Sequence, residues 1–165
     1  SAASDVYKRQ VFVWSPNSVS MPGTEANAMK NYYPGDMYVD WLGVSCYPPS
    51  LSATYPEERR YPLTLMQGIK QVSADKPIMI SEGGYSSTCD HQRWVREWFK
   101  LKDEEPRVKA VVWENHENAE NGDRRLQSDP LALELYKELV QDPYWLDLIP
   151  DAVYSEIETR KNNSK

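Results

Sequence analysis

The feature that most constrains this chain is a rhythm of short apolar runs. Val11–Trp14, Val39–Val44, Pro77–Ile80 and Val108–Trp113 start 28, 38 and 31 residues apart. The runs are rich in β-branched and aromatic residues and too short for helices, so they read as strands. "PIMI" and "VKAVVW" are apolar at nearly every position, the pattern of strands buried on both faces in a parallel sheet covered by helices. Helical patterns lie between them. "HQRWVREWFKL" places Trp94, Val95, Trp98 and Phe99 on one stripe behind Asp90 as N-cap. "LTLMQGIKQV" groups Leu65, Met66, Ile69 and Val72, and "SDPLALELYKELV" groups Ala132, Leu135, Tyr136, Leu139 and Val140 behind Asp129 and Pro130. A shorter helix is expected over 24–31. The alternation predicts βαβ units with right-handed crossovers.

Two architectures use such units. A (β/α)8 barrel spends about 30 residues per unit. A doubly wound open sheet usually carries a glycine-rich phosphate loop after an early strand, and neither "SPNSVSMPG" nor "SEGGYSS" fits that loop. The chain is therefore read as α/β, a partial (β/α)8 TIM barrel of four βα units, with 11–142 as the domain. In such a half barrel Val11, Val13, Ile78, Ile80 and residues 110–112 are expected on the inner face, and alternation turns Trp113 inward and Glu114 outward.

The flanks are set aside. "SAASDVYKRQ" (1–10) has no apolar stretch of a signal peptide and is treated as a leader foreign to the fold. Residues 143–165 form an extension whose end, "RKNNSK", reads as disordered, with a glycosylation sequon at Asn162. A net charge of −6, from 19 basic and 25 acidic residues, argues against nucleic acid as a partner. No run of 18 apolar residues occurs, so no membrane-spanning helix is expected. Cys46 and Cys89 have no CxxC spacing; one bridge or two free thiols both remain open.

The chemistry concentrates at strand ends, where barrel enzymes work. In "KPIMISEGGYSS" the third run ends in Ser81 and Glu82, followed by Gly83 and Gly84. The glycines permit a sharp turn and leave space beside the carboxylate. The plain alternative is a glutamate that caps a loop or pairs with an arginine. The other runs end in Trp14, Ser15, Pro16 and Asn17; in Cys46 and Tyr47; and in Trp113, Glu114, Asn115 and His116. One carboxylate ringed by Trp, Tyr and Asn is how a pyranose is held, with rings stacking and polar groups reading hydroxyls. The excess of 6 Trp and 11 Tyr over 2 Phe fits such a cleft, and fits an aromatic core equally. "ENHENAE" clusters Glu114, His116, Glu117 and Glu120 without a metal-ligand spacing. Ser86, His91 and Asp90 lack a nucleophile elbow. No metal or cofactor is expected.

Four blocks, "VFVWSPN", "YYPGDMYVDWLGVSCY", "KPIMISEGG" and "VKAVVWENHENAENGDRRLQSDP", together resemble the last four strands of glycoside hydrolase family 26, a family of β-mannanases and some β-glucanases. The resemblance spans residues 11–142. It implies strands five to eight of a retaining, endo-acting (β/α)8 glycosidase, with Glu82 as nucleophile, Tyr47 orienting it and Trp113 as a platform under the sugar. Trp14 and Asn17 would support the substrate, and Tyr85 and Asn115 complete the expected binding set. The acid/base glutamate of such enzymes lies on strand four, which would precede residue 11. The resemblance further implies a β-linked polysaccharide as partner, mannan or a related β-glucan, and a monomeric, extracellular or cell-surface full-length protein. Two departures leave the polysaccharide open: Ser45 stands where many members carry Asp, and Glu114 where mannanases often carry Arg. A non-catalytic carbohydrate-binding barrel is the alternative.

Overall fold

The computed structural model describes residues 10–49, 60–87, 89–118 and 122–145. The expected leader, apart from Gln10, and the extension beyond Trp145 with its sequon lie outside the described residues.

Four parallel strands form one sheet: β1 (Val13–Trp14), β2 (Trp41–Cys46), β3 (Ile78–Gly83) and β4 (Val108–Val111), in the order β1-β2-β3-β4. Each strand lies beside its successor in sequence, so these four contain no reversal of strand order, the switch point of a doubly wound sheet. A small antiparallel ribbon, β5 (Glu117–Asn118) and β6 (Gly122–Asp123), follows β4.

The long helices form where the pattern predicts. Helix α3 (His91–Glu104) is capped by Asp90, whose carboxylate accepts from Arg93 N at 2.9 Å. Helix α4 (Pro130–Leu139) is capped by Asp129, which accepts from Leu131 N and Ala132 N at 3.0 and 3.1 Å. Such caps satisfy amides that have no partner within the helix. The helix expected over 63–72 is instead two short ones, α1 (Pro62–Leu65) and α2 (Gln67–Lys70), meeting at Met66. Gly68 lowers helix propensity there; a Cβ at Gly68 would sit 3.1 Å from Met29 Cε, so the glycine makes room for that side chain. The helix expected over 24–31 is two 3-10 turns, Glu25–Asn27 and Met29–Tyr32. The Asn31 amide donates to the carbonyls of Glu25 and Ala26 at 2.9 and 3.1 Å, a side-chain bond that competes with the α-helical ladder.

The two faces of the sheet differ. Leu42, Val44, Cys46, Ile78, Ile80 and Val108 are fully buried and share one core with Ile69, Trp94, Val95 and Trp98 of the helices. The opposite face is open. Val13 and Val112 are 40% and 43% exposed there, and the hydroxyls of Ser15 and Ser81 bond at 2.5 Å. A Cβ at Gly43 would lie 2.7 Å from Ser15 Cβ and 2.8 Å from Val13 Cγ1. The expectation that Ile78 and Ile80 line the inner face is thus corrected: both face the helices.

Two register shifts explain the difference. Between β2 and β3, Val44 pairs with Ile80 and Ser45 with Glu82, so Ser81 is an extra residue. Between β3 and β4, Ile78 pairs with Val108 and Met79 with Ala110, so Lys109 is extra. An extra residue in a strand reverses the alternation beyond it. Glu82, two residues after buried Ile80, is thereby turned away from the helices, and Trp113 is turned towards them.

Candidate active site

The site lies at the C-terminal ends of β2 and β3, on the open face. The Glu82 side chain is exposed, and its Oε1 accepts a hydrogen bond from Ser45 Oγ at 2.6 Å. Ser45 is itself buried and held by the segment after β1: Ser45 N donates to Pro16 O, and Ser18 N donates to Ser45 O, both at 3.0 Å. Asn17 forms the bridge with Ser45, so the β1 end abuts the carboxylate's partner.

The glycines after Glu82 serve packing more than space. At Gly83 a Cβ would lie 2.5 Å from Cys46 O and 2.6 Å from Trp98 Cη2, so the indole of α3 occupies the place of a side chain. The expectation of open room at this position is corrected accordingly. At Gly84 the nearest atoms, Glu114 O and Trp113 Cε2, would be 3.6 Å away, an ordinary contact.

A second polar group stands beside Glu82. Glu114 Oε2 pairs with Arg124 Nη1 at 2.5 Å, and the Arg124 guanidinium lies 4.1 Å over the ring of Tyr47. The Tyr47 phenol is pushed well above its ordinary range, first by burial, then by its interaction with Glu114 and by the charge of Glu82, with Arg124 opposing. Tyr47 thus stands in the field of both carboxylates. Glu114 therefore points into this cluster, contrary to the alternation expected from sequence, because the extra Lys109 reverses it. Arg124 is 8% exposed and its Nε has no hydrogen-bond partner among the described residues. Sequence reasoning missed it, since one cation in a polar loop ten residues from Glu114 carries no periodic signal.

The remaining expected residues fall in different places. Trp113 is half-buried on the helix side: its ring meets Tyr85, Trp98 and Tyr136 edge to face at 5.2, 5.3 and 5.7 Å, and its Nε1 donates to Arg124 O at 2.9 Å. Tyr85, expected on the rim, is fully buried; it stacks on His91 at 4.0 Å and its hydroxyl donates to Arg125 O at 2.8 Å. Apolar packing of a Tyr–Trp pair outweighs exposure there. Asn115 is exposed, but its Oδ1 accepts from Leu126 N at 2.8 Å, bracing the loop. Trp14 is half-buried against Tyr33 at 5.1 Å, and with Asn17, Met29 and Tyr32 it lines a hollow of about 230 Å³. Much of the aromatic excess is core, as Trp94, Trp98, Tyr61 and Tyr85 are fully buried.

Cys46 and Cys89 are free thiols. Burial pushes the Cys89 thiol up to about 11, and Cys46 higher still. Among the described residues no group of three His, Cys, Asp or Glu is arranged to hold a metal, and no helix is long and apolar enough to cross a membrane.

No family model matches the chain. Over 113 residues, 66% of the chain, it is 29% identical to endoglucanase H of Acetivibrio thermocellus, of which the match covers 12%. Three solved structures share its fold. An endo-β-1,4-mannanase double mutant from Cellulomonas fimi matches at TM-score 0.50 and 19% identity, over 82% of this chain and 31% of that one. A GH26 β-mannanase from Bacteroides ovatus matches at TM-score 0.53 and 20% identity, over 82% and 38%. The catalytic domain of a GH26 endo-β-1,4-mannanase from Bacillus sp. JAMB-750 matches at TM-score 0.50 and 21% identity, over 81% and 38%. The chain's structural neighbours thus include the family its sequence blocks resemble. It spans 31–38% of those three structures, and the likeness is one of fold.

Proposed function

We propose that this chain is the part of a retaining β-glycosidase barrel that carries the nucleophile, Glu82, on strands five to eight. One observation carries the reading: an exposed carboxylate at the C-terminal end of a parallel strand, facing away from the helices and held by the Ser45 hydroxyl. The mannanase and endoglucanase neighbours support the reaction class.

In this reading the Glu82 carboxylate attacks the anomeric carbon and forms a glycosyl-enzyme, which water then hydrolyses. A second carboxyl group, about 5–5.5 Å from the first, protonates the leaving oxygen and later activates the water. It is assigned to strand four, before residue 11. Glu114 is tied to Arg124, whose guanidinium covers Tyr47. A side chain held in that ion pair suits a group reading sugar hydroxyls. Asn17 flanks the same end of the sheet, bridged to Ser45, and would extend the contact surface. The substrate class is a β-linked polysaccharide, mannan or a related glucan. A polymer too large to enter a cell places the full-length protein outside the cell or on its surface.

The test uses the full-length protein and a fluorinated glycoside that traps the glycosyl-enzyme. Glu82→Ala is expected to lose hydrolysis by orders of magnitude while polymer binding survives, and the trapped sugar to sit on the peptide containing Glu82. A label on another carboxylate would overturn the assignment. A parent protein that binds mannan or glucan without cleaving it would instead be the non-catalytic alternative.

A further inference from the structure

We infer that Ser45, rather than Tyr47, is the residue that positions the Glu82 carboxylate, engaging Oε1 and leaving Oε2 as the attacking oxygen. The inference rests on Glu82 being the nucleophile and adds which neighbour presents it.

Three observations carry it. The Ser45 hydroxyl donates to Glu82 Oε1 at 2.6 Å, the length of a charge-assisted O–H···O⁻ bond. Its backbone is fixed on both sides by the segment after β1, through Ser45 N to Pro16 O and Ser18 N to Ser45 O, so the donor is held before substrate arrives. Tyr47 sits on the other side of the site: the Arg124 guanidinium, paired with Glu114 at 2.5 Å, covers its ring at 4.1 Å, and among the described residues the hydrogen bond to Glu82 comes from Ser45. The register shift at Ser81 brings Ser45 and Glu82 opposite one another. A serine suits that place. An ionised Asp at 45 could not donate, and would set a second negative charge against Glu82.

The consequence concerns which lone pair reacts. With Oε1 engaged, a lone pair on Oε2 forms the new C–O bond to the anomeric carbon. The glycosidic C–O bond breaks, and the leaving oxygen takes its proton from the carboxylic acid assigned to strand four. A carboxylate free to rotate would present this oxygen only part of the time, so the serine acts on the rate of glycosylation more than on substrate binding.

The experiment compares Ser45→Ala, Ser45→Thr and Tyr47→Phe in the full-length protein, with a dinitrophenyl β-glycoside as substrate so that departure needs no acid help. Ser45→Ala is expected to lower kcat/KM, which reports the glycosylation step, by about 10–100-fold, the size of a lost hydrogen bond to a charged group. Ser45→Thr, which keeps the hydroxyl, is expected to restore most of the rate, and Tyr47→Phe to cost less than Ser45→Ala. If Ser45→Ala does not fold, Ser45→Cys, of similar size and a weaker donor, is read in the same way. Parent-like kcat/KM in Ser45→Ala, no rescue by threonine, or a larger loss in Tyr47→Phe would overturn the inference. Glu82→Ala separates the two levels. If it stays active, both the nucleophile and its positioning fall; if it is inactive while Ser45→Ala is parent-like, only the positioning falls.

Discussion

Ser45 and Glu82 face each other across β2 and β3, and the bond between them exists because one residue, Ser81, is left out of the pairing. Ile78 and Ile80 point to the helices and are fully buried. Strict alternation would send Glu82 after them, into the apolar core, at a cost of several kcal/mol for a buried charge. The bulge avoids that cost and delivers the carboxylate to the open face. It also turns Gly83 towards the helices, where the ring of Trp98 fills the space beside it.

The two adjacent glycines are expected to behave differently on substitution. Gly83→Ala would place a Cβ 2.5 Å from Cys46 O, a backbone atom that cannot step aside. It should destabilise the protein by about 1–3 kcal/mol or more. Gly84→Ala meets nothing closer than 3.6 Å, and its loss should stay below about 1 kcal/mol. Denaturant midpoints of both variants check this; equal losses would show that the bulge geometry is misassigned.

Trp113 is expected to act through stability. Its ring is wedged among Tyr85, Trp98 and Tyr136 and its N–H is bonded to Arg124 O. Trp113→Ala should cost about 3–5 kcal/mol of folding free energy, as for other large aromatic truncations in a core. A variant with parent-like unfolding and a weakened kcat/KM would show instead that the ring serves chiefly as a sugar platform.

Glu105 sets part of the acid response. It is 9% exposed, and its carboxyl is held below its ordinary value of 4.5 chiefly by hydrogen bonds from the Arg107 guanidinium, with burial opposing. A depressed folded-state value means the contribution is complete above the unfolded value and lost as pH falls through the folded one. Glu105→Gln should therefore be less stable than the parent at neutral pH, by about 1–3 kcal/mol. The gap should begin to close below about pH 4.5 and vanish at lower pH. Unfolding curves at neutral and acid pH test this; a gap that stays constant with pH would rule out the ion pair as its source.

What could be read in the sequence was what short segments decide for themselves. Asp90 and Asp129 cap helices because a carboxylate can reach amides two or three residues on. The stripes of α3 and α4 follow from a 3.6-residue turn, and the parallel sheet from runs that are apolar at nearly every position. The strand end at Glu82 was legible for the same reason. Direction was not. Whether Glu82, Trp113 or Glu114 faces the helices depends on the extra residues Ser81 and Lys109, and a bulge leaves no mark in a run of apolar residues. It arises between strands, from the need to keep a charge out of the core and to seat Trp98 on Gly83. Likewise Arg124 reaches Glu114 and Tyr47 only because the β5–β6 ribbon folds back on the end of the sheet. Local physics determined the elements of this protein, and packing between distant strands and helices decided which side chains meet at the site.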